Sequence, residues 1–331
     1  MIVERTRHSR MYWLHTLEPT HVGAGRGVGF IDLPIMREQV TNWPLIPGST
    51  FKGVWADSYG ADEKSRETNE PHRLAFGQAT GSDAGSNTSN AGALQPTDAR
   101  LVCLPVRSLY GTFAWVTCPL ALSRLVRDLD ACGFRGAPPP VGFPVANDPQ
   151  NGPLPALVPD TPASRLTDPR AGATSPNLFL GELDLQAGGS KLQAAWAATW
   201  AELLADWAFD NGEWRSAFRE RFVIVSDDAF TFLTEFATQV DARVKIDQNT
   251  KTVANGQLWY EESIPAEAIL AGCVWCDRLF GRGDNCQITE DRLLQDYCSG
   301  NRTVQIGGKA SVGRGLVDLR FDSTAESQGE N

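Results

Sequence analysis

The segment His21–Gly53, HVGAGRGVGFIDLPIMREQVTNWPLIPGSTFKG, sets a single aspartate, Asp32, between two glycine-bearing turns. Glycines 23, 25, 27 and 29 keep side chains away from an approaching partner. Pro47-Gly48-Ser49 then turns the chain into a helix, with Ser49 as its N-cap and Lys52 in its first turn. Backbone amides, one lysine and one carboxylate would share a small space, which suits an anionic polymer such as RNA, with the carboxylate as the chemically active group. Asp32 follows Phe30-Ile31 and precedes Leu33-Pro34, so a buried, apolar setting is expected. There it could bind a divalent metal, accept a proton, or only cap a turn. His21, near the end of the preceding strand, is a second titratable group and on these grounds either structural or catalytic.

Working outward, residues 11–17 (MYWLHTL) read as the first strand. ARLVCLPV (99–106) and GTFAWVTC (111–118) form a strand pair, and Pro119 opens a helix that Gly133 closes. NLFLGELDL reads as one strand. Ser190 caps a helix whose apolar stripe (192, 195, 196, 199, 200, 203, 204, 207) holds Trp196, Trp200 and Trp207, a spacing that favours core packing over base stacking. RFVIVSD leads into a helix from Asp228. QVDARVKID and TVANGQLWYEESIP make a long hairpin with a polar turn at Gln248–Lys251 and with Arg243 and Lys245 on one face of its first arm. Strand AILAGCVWC, a helix capped by Thr289, and strands RTVQI and GLVDLRF complete a single α+β domain of ferredoxin-like or RNA-recognition type. Residues 78–97, almost without bulky apolar side chains, and 136–176, with eleven of the twenty prolines, are expected to be surface excursions.

Composition narrows the function. A chain of 331 residues with 42% apolar content can bury a full core, and its net charge of -10 argues against a sequence-blind DNA coat. Nucleic acid would have to be held along a local track. No apolar run reaches membrane-spanning length and no signal peptide is recognisable at the start, so a cytoplasmic protein without membrane partners is expected. Seven irregularly spaced cysteines read as reduced core residues. The loop GGKASVGRG (307–315) offers free amides at Gly307 and Gly308 and cations at Lys309 and Arg314, either a phosphate cradle or a plain hairpin loop. It is not a nucleotide-hydrolysing loop, because Arg314-Gly315 stand where Lys and Ser or Thr would be required.

Five ordered segments, THVGAGRGVGFIDLPIMRE, PLIPGSTFKG, LPVRSLYGTFAWVTCPLALSRLVRDL, GQLWYEESIP and VQIGGKASVGRGLV, resemble the backbone subunit of type III CRISPR effector complexes in the RAMP superfamily. Within it they are most similar to the type III-B branch, at the fourth subunit of the Cmr complex. The resemblance implies an RNA-recognition-like fold that polymerises along a CRISPR guide RNA beside other Cmr subunits. It also implies a thumb hairpin, here 243–260, that displaces one nucleotide of a complementary target RNA at regular intervals. Asp32 falls on the family's cleavage aspartate, His21 on its histidine, Lys52 on its helix lysine, and Gly307–Gly315 on its glycine-rich loop. Ser49, Arg243 and Lys245 join these as expected RNA contacts. The implied reaction is attack of a 2′-hydroxyl on its adjacent phosphate, with a divalent ion, Mg or Mn, at Asp32. Two other readings remain open: a non-catalytic guide-RNA scaffold, and a monomeric guide-processing endoribonuclease of the same superfamily.

Overall fold

The computed structural model describes residues 8–25, 27, 30–59, 69–78, 90–144, 152–159, 164–168, 176–246, 251–276, 278–279 and 286–322. It is a mixed α+β fold built on one large sheet. In chain order the strands are β1 (Ser9–Thr16), β2 (Leu45–Ile46), β3 (Gly77–Gln78), β4 (Asn90–Ala91), β5 (Leu94–Pro96), β6 (Ala99–Arg107), β7 (Phe113–Thr117) and β8 (Leu154–Leu157). They continue with β9 (Asn177–Leu180), β10 (Leu183–Ala187), β11 (Phe222–Val225), β12 (Gln239–Ile246), β13 (Val253–Ser263), β14 (Ile269–Cys276), β15 (Asn301–Gln305) and β16 (Leu316–Phe321). The helices are α1 (Gly48–Asp57), α2 (Glu70–Phe76), α3 (Pro119–Ala131), α4 (Lys191–Ala208), α5 (Gly212–Arg221), α6 (Asp227–Phe236) and α7 (Glu290–Tyr297). The sheet runs β15-β16-β1-β14-β6-β7-β11-β8-β10-β9, with β2 beside β6 and β5 beside β14.

Alternation along β1 places a core on each face of this sheet. Tyr12 and Leu14 join one cluster with Phe51 and Trp55 of α1 and Phe230 of α6, while Met11 and Trp13 join the other with Leu125 of α3 and Trp200 of α4. Tyr12, Phe51 and Trp55 stack in series, with centroids 4.2 and 5.4 Å apart. Ser190 and Gln193 close a reciprocal capping box on α4, and Trp196 and Trp200 lie in the core as the spacing predicts. The buried stripe is rotated from the expected one: it runs 196, 197, 200, 201, 204, 205 and 208, leaving Leu192 exposed.

Several expectations are corrected. Ser49 is the second residue of α1 and makes no capping hydrogen bond; Pro47 holds the cap position, so Lys52 is the fifth helical residue. The stretch NLFLGELDL is a hairpin, β9 and β10, because Gly181 adopts φ +55 between them. Helices α2 and α5 were not anticipated. Residues 78–97 and 136–176 contribute to the core: Leu94 is buried in β5 against β14, and β8 joins the sheet between β11 and β10 with Ala156 and Leu157 fully packed. Residues 79–89, 145–151, 160–163 and 169–175 of those stretches lie outside the described residues, as do 247–250 of the hairpin turn.

Strands β12 and β13 form a separate two-stranded sheet, paired from Gln239↔Ser263 outward, with a bulge between Val244 and Ile246. Its even-numbered face carries half-exposed Val240, Val244, Leu258 and Tyr260; its odd-numbered face carries Asp241, Arg243, Lys245, Trp259 and Glu261. The cysteines described are all free thiols, and among the described residues no helix is long and apolar enough to cross a membrane.

Candidate nucleic-acid interface and active site

The second arm of the hairpin organises the site. In an antiparallel ladder the backbone groups of alternate residues face opposite edges, and the N–H and C=O of Tyr260, Glu262 and Ile264 all bond away from β12. The segments that sequence reading singled out fill that edge. Thr20 exchanges two backbone bonds with Ile264 (2.8 and 2.9 Å), and Leu33 bridges Tyr260 and Glu262, donating to the first at 3.1 Å and accepting from the second at 3.0 Å. The two remaining groups are taken by side chains: Asp32 Oδ2 accepts from the Tyr260 amide at 2.8 Å, and His21 Nδ1 donates to the Glu262 carbonyl at 2.6 Å. Two residues of extended chain separate those anchors by about 7 Å.

This geometry fixes what each side chain has left to offer. A carbonyl can only accept, so His21 Nδ1 carries a proton and Nε2 is the nitrogen free to accept one in the neutral ring. Asp32 is exposed, not buried as its apolar neighbours suggested, since Phe30 beside it points outward at 77% exposure. Its Oδ1 accepts no hydrogen bond among the described residues. The loop reaches this edge because Gly27 lets it fold on itself: a Cβ there would collide with the Ile31 carbonyl.

Beneath the loop, Glu262 is a buried hub. It accepts from Arg37 Nη2 at 2.6 Å, Thr238 Oγ1 at 2.9 Å and the Ile35 amide at 3.1 Å, tying the segment that follows Asp32 to the root of the hairpin. Sequence reading missed Arg37 and Glu262; the only signal was the pair of adjacent glutamates in WYEES.

The glycine loop packs from the other side. Gly308 N–H donates to the His21 carbonyl at 2.9 Å, and Gly307 adopts φ +80 where a Cβ would strike that same carbonyl. Lys309 Nζ reaches Glu261 Oε1 at 2.8 Å, Arg314 Nη2 reaches Asp241 Oδ2 at 2.6 Å, and Arg243 lies 3.3 Å from Glu261. Burial pushes the Glu261 carboxyl up, but hydrogen bonds from Lys309 and Trp259 and the charges of Lys309 and Arg243 outweigh it and hold it below 4.5. The structure thus gathers His21, Asp32, Arg243, Gly307, Gly308, Lys309 and Arg314 around β13. Lys245 stands exposed farther out on β12. Ser49 and Lys52 lie apart, on α1. Lys52 has no ion pair among the described residues, and burial lowers its pKa, so it is a half-buried cation without a counter-charge.

Among the described residues no three His, Cys, Asp or Glu side chains gather as a metal centre. A single carboxylate with one open oxygen fits a hard cation that is held mostly by substrate phosphate and water, the usual manner for Mg²⁺.

The RAMP superfamily profile matches residues 13–318. The CRISPR system Cmr endoribonuclease Cmr4 of Pyrococcus furiosus is 30% identical over 320 residues, 96% of each chain. Among solved structures, oligomeric Cmr4 from P. furiosus superposes with a TM-score of 0.67 at 23% identity, covering 96% of this chain and 99% of that one. A subunit of the type III-B Cmr-beta complex bound to cognate target RNA superposes with a TM-score of 0.64 at 18% identity, covering 96% and 98%.

Proposed function

Because the chain belongs to the RAMP superfamily and, within it, to the Cmr4 endoribonucleases, we propose that it is the backbone subunit of a type III-B CRISPR complex that binds guide RNA, assembles with copies of itself and with other Cmr subunits, and cuts complementary target RNA. The observation that carries this reading is the shared edge of β13, where Asp32 and His21 are both anchored with one reactive atom left over. Beside that edge lie the Lys309 and Arg314 cations that suit a phosphodiester.

In the reaction, the 2′-oxygen of one target nucleotide attacks its own 3′-phosphorus while the O5′ of the next nucleotide departs, leaving a 2′,3′-cyclic phosphate and a 5′-hydroxyl. A stacked helix holds these three atoms off a line, so splaying one nucleotide is itself catalytic. The β12–β13 hairpin, as the thumb, supplies the splaying. Asp32 Oδ1 and His21 Nε2 are the groups available to orient the 2′-hydroxyl and to take its proton. A divalent cation, Mg²⁺ or Mn²⁺, held by Asp32 with RNA phosphate and water, would supply electrostatic stabilisation of the phosphorane. Lys52, without a carboxylate partner among the described residues, is suited to pair with RNA phosphate. DNA, without the 2′-hydroxyl, should be spared.

The test is an assembled complex on matched target RNA. Asp32→Ala should lower the cleavage rate about 10²- to 10³-fold, the usual loss of one transition-state electrostatic partner, with target affinity nearly unchanged. Robust cutting by the Asp32→Ala complex would favour the scaffold reading, in which Asp32 only braces its loop on Tyr260.

A further inference from the structure

The cations meant for RNA are already occupied. In the β12–β13 ladder Asp241 and Glu261 are direct cross-strand partners, and like charges so placed oppose pairing. Three cations offset them. Lys309 bonds Glu261 at 2.8 Å, Arg314 bonds Asp241 at 2.6 Å, and Arg243 lies between the acids, 3.3 Å from Glu261 and 3.7 Å from Asp241. Gln239 and Trp259 add hydrogen bonds to Asp241 and Glu261 respectively. Two of the three cations come from the glycine loop and both carboxylates from the hairpin, so these bonds clamp the hairpin root onto the loop.

We propose that the Asp241–Glu261 pair stands in for RNA phosphate: it parks the hairpin on the glycine loop in the RNA-free protein, and the guide backbone displaces it. The inference rests on the RNA-binding function proposed above and adds a mode of regulation to that site. A phosphate drawn to Lys309 or Arg314 arrives beside a carboxylate of like charge, so the two compete. Once the loop cations turn to phosphate, the acid pair loses two of its three counter-charges and the hairpin is freed to move. Guide loading and hairpin release become one event, and an acidic chain avoids holding unspecific RNA along an open basic track.

The test compares the wild-type chain with Asp241→Asn/Glu261→Gln, near-isosteric changes that keep hydrogen-bond acceptors for Lys309, Trp259 and Arg314. Binding of a fluorophore-labelled single-stranded RNA at low salt should tighten about ten-fold, because two like charges leave the path of the phosphates. In RNA-free protein, Lys309→Ala/Arg314→Ala should speed amide hydrogen exchange across β12 and β13, since the acid pair is then left to repel itself. Equal affinity of wild type and the Asn/Gln variant, with RNA still bound, would overturn the competition and leave the functional reading standing. Weaker binding by the variant would likewise overturn the competition alone, whereas failure of both proteins to bind RNA would overturn both readings. Should the double variant not fold, Asp241→Asn alone removes the negative charge beside Arg314 while Lys309 stays on Glu261, and a smaller gain in affinity is required of it.

Discussion

In the large sheet β1 buries Tyr12 and Leu14 on one face and Met11 and Trp13 on the other, whereas in the β12–β13 hairpin Val240, Val244, Leu258 and Tyr260 stay half-exposed and the opposite face is charged. The sheet is held by apolar burial and the hairpin by polar bonds at its root: Glu262 to Arg37, Thr238 and Ile35, and Glu261 and Asp241 to the glycine loop. Apolar burial carries no charge to be screened and no proton to titrate, whereas root contacts made of charge respond to both ionic strength and pH. A rigid platform therefore carries an arm whose attachment can be exchanged for another anion, and the candidate catalytic groups sit at the joint.

The contrast breaks most visibly at the core. Trp55→Ala, at a fully buried site against Phe51, should cost about 3–5 kcal/mol in denaturant unfolding. A value near zero would mean that α1 is not part of the platform. At the joint, Gly307→Ala should cost roughly 1–3 kcal/mol, because φ +80 and the His21 carbonyl both resist a side chain, and it should slow cleavage by disturbing His21. Unchanged stability and rate would detach the glycine loop from the site.

The charged root should also titrate. Glu261 has its folded pKa lowered below 4.5, so its stabilising contribution is complete above 4.5 and is lost as pH falls through the lower folded value. The thermal midpoint of wild type should accordingly drop faster than that of Glu261→Gln on acidification below 4.5. Parallel curves would assign the acid transition to other carboxylates. Least of all, Leu258→Ala at 52% exposure should stay within about 0.5 kcal/mol by the same denaturant assay. A larger loss would show that the apolar face of the arm is covered in solution.

The parts of the fold that local chemistry dictates were legible in the sequence. Pro119 and Gly133 bracket α3, Ser190 caps α4, and the alternation in QVDARVKID gives β12. Elements whose reason is tertiary were not. β5 and β8 are short, lie among glycines and prolines, and exist because β14 and β11 offer them an edge. Pro47 took the cap from Ser49 because the Asp98 carboxylate accepts from the Gly48 amide and starts the helix earlier. At the site, His21, Asp32 and the glycine loop were recognisable, but Asp32 was misread as buried, because the outward turn of Phe30 is set by the loop and not by its neighbours' hydrophobicity. The carboxylate partners of Lys309 and Arg314 lie 48 and 73 residues away in sequence, a pairing that no local pattern encodes.

The bulge between Val244 and Ile246 makes a ratchet stop of the hairpin. Between the pairs Val244↔Leu258 and Ile246↔Val253 the second arm carries three more residues than the first, so sliding either strand by a single step would leave the irregularity without its match and would turn that strand's side chains to the other face. A slipped first arm would turn Asp241 toward the greasy side; a slipped second arm would turn Glu261 there and the amide that grips Asp32 toward β12. Whatever happens at its root, the arm is therefore held at one notch of its own ladder.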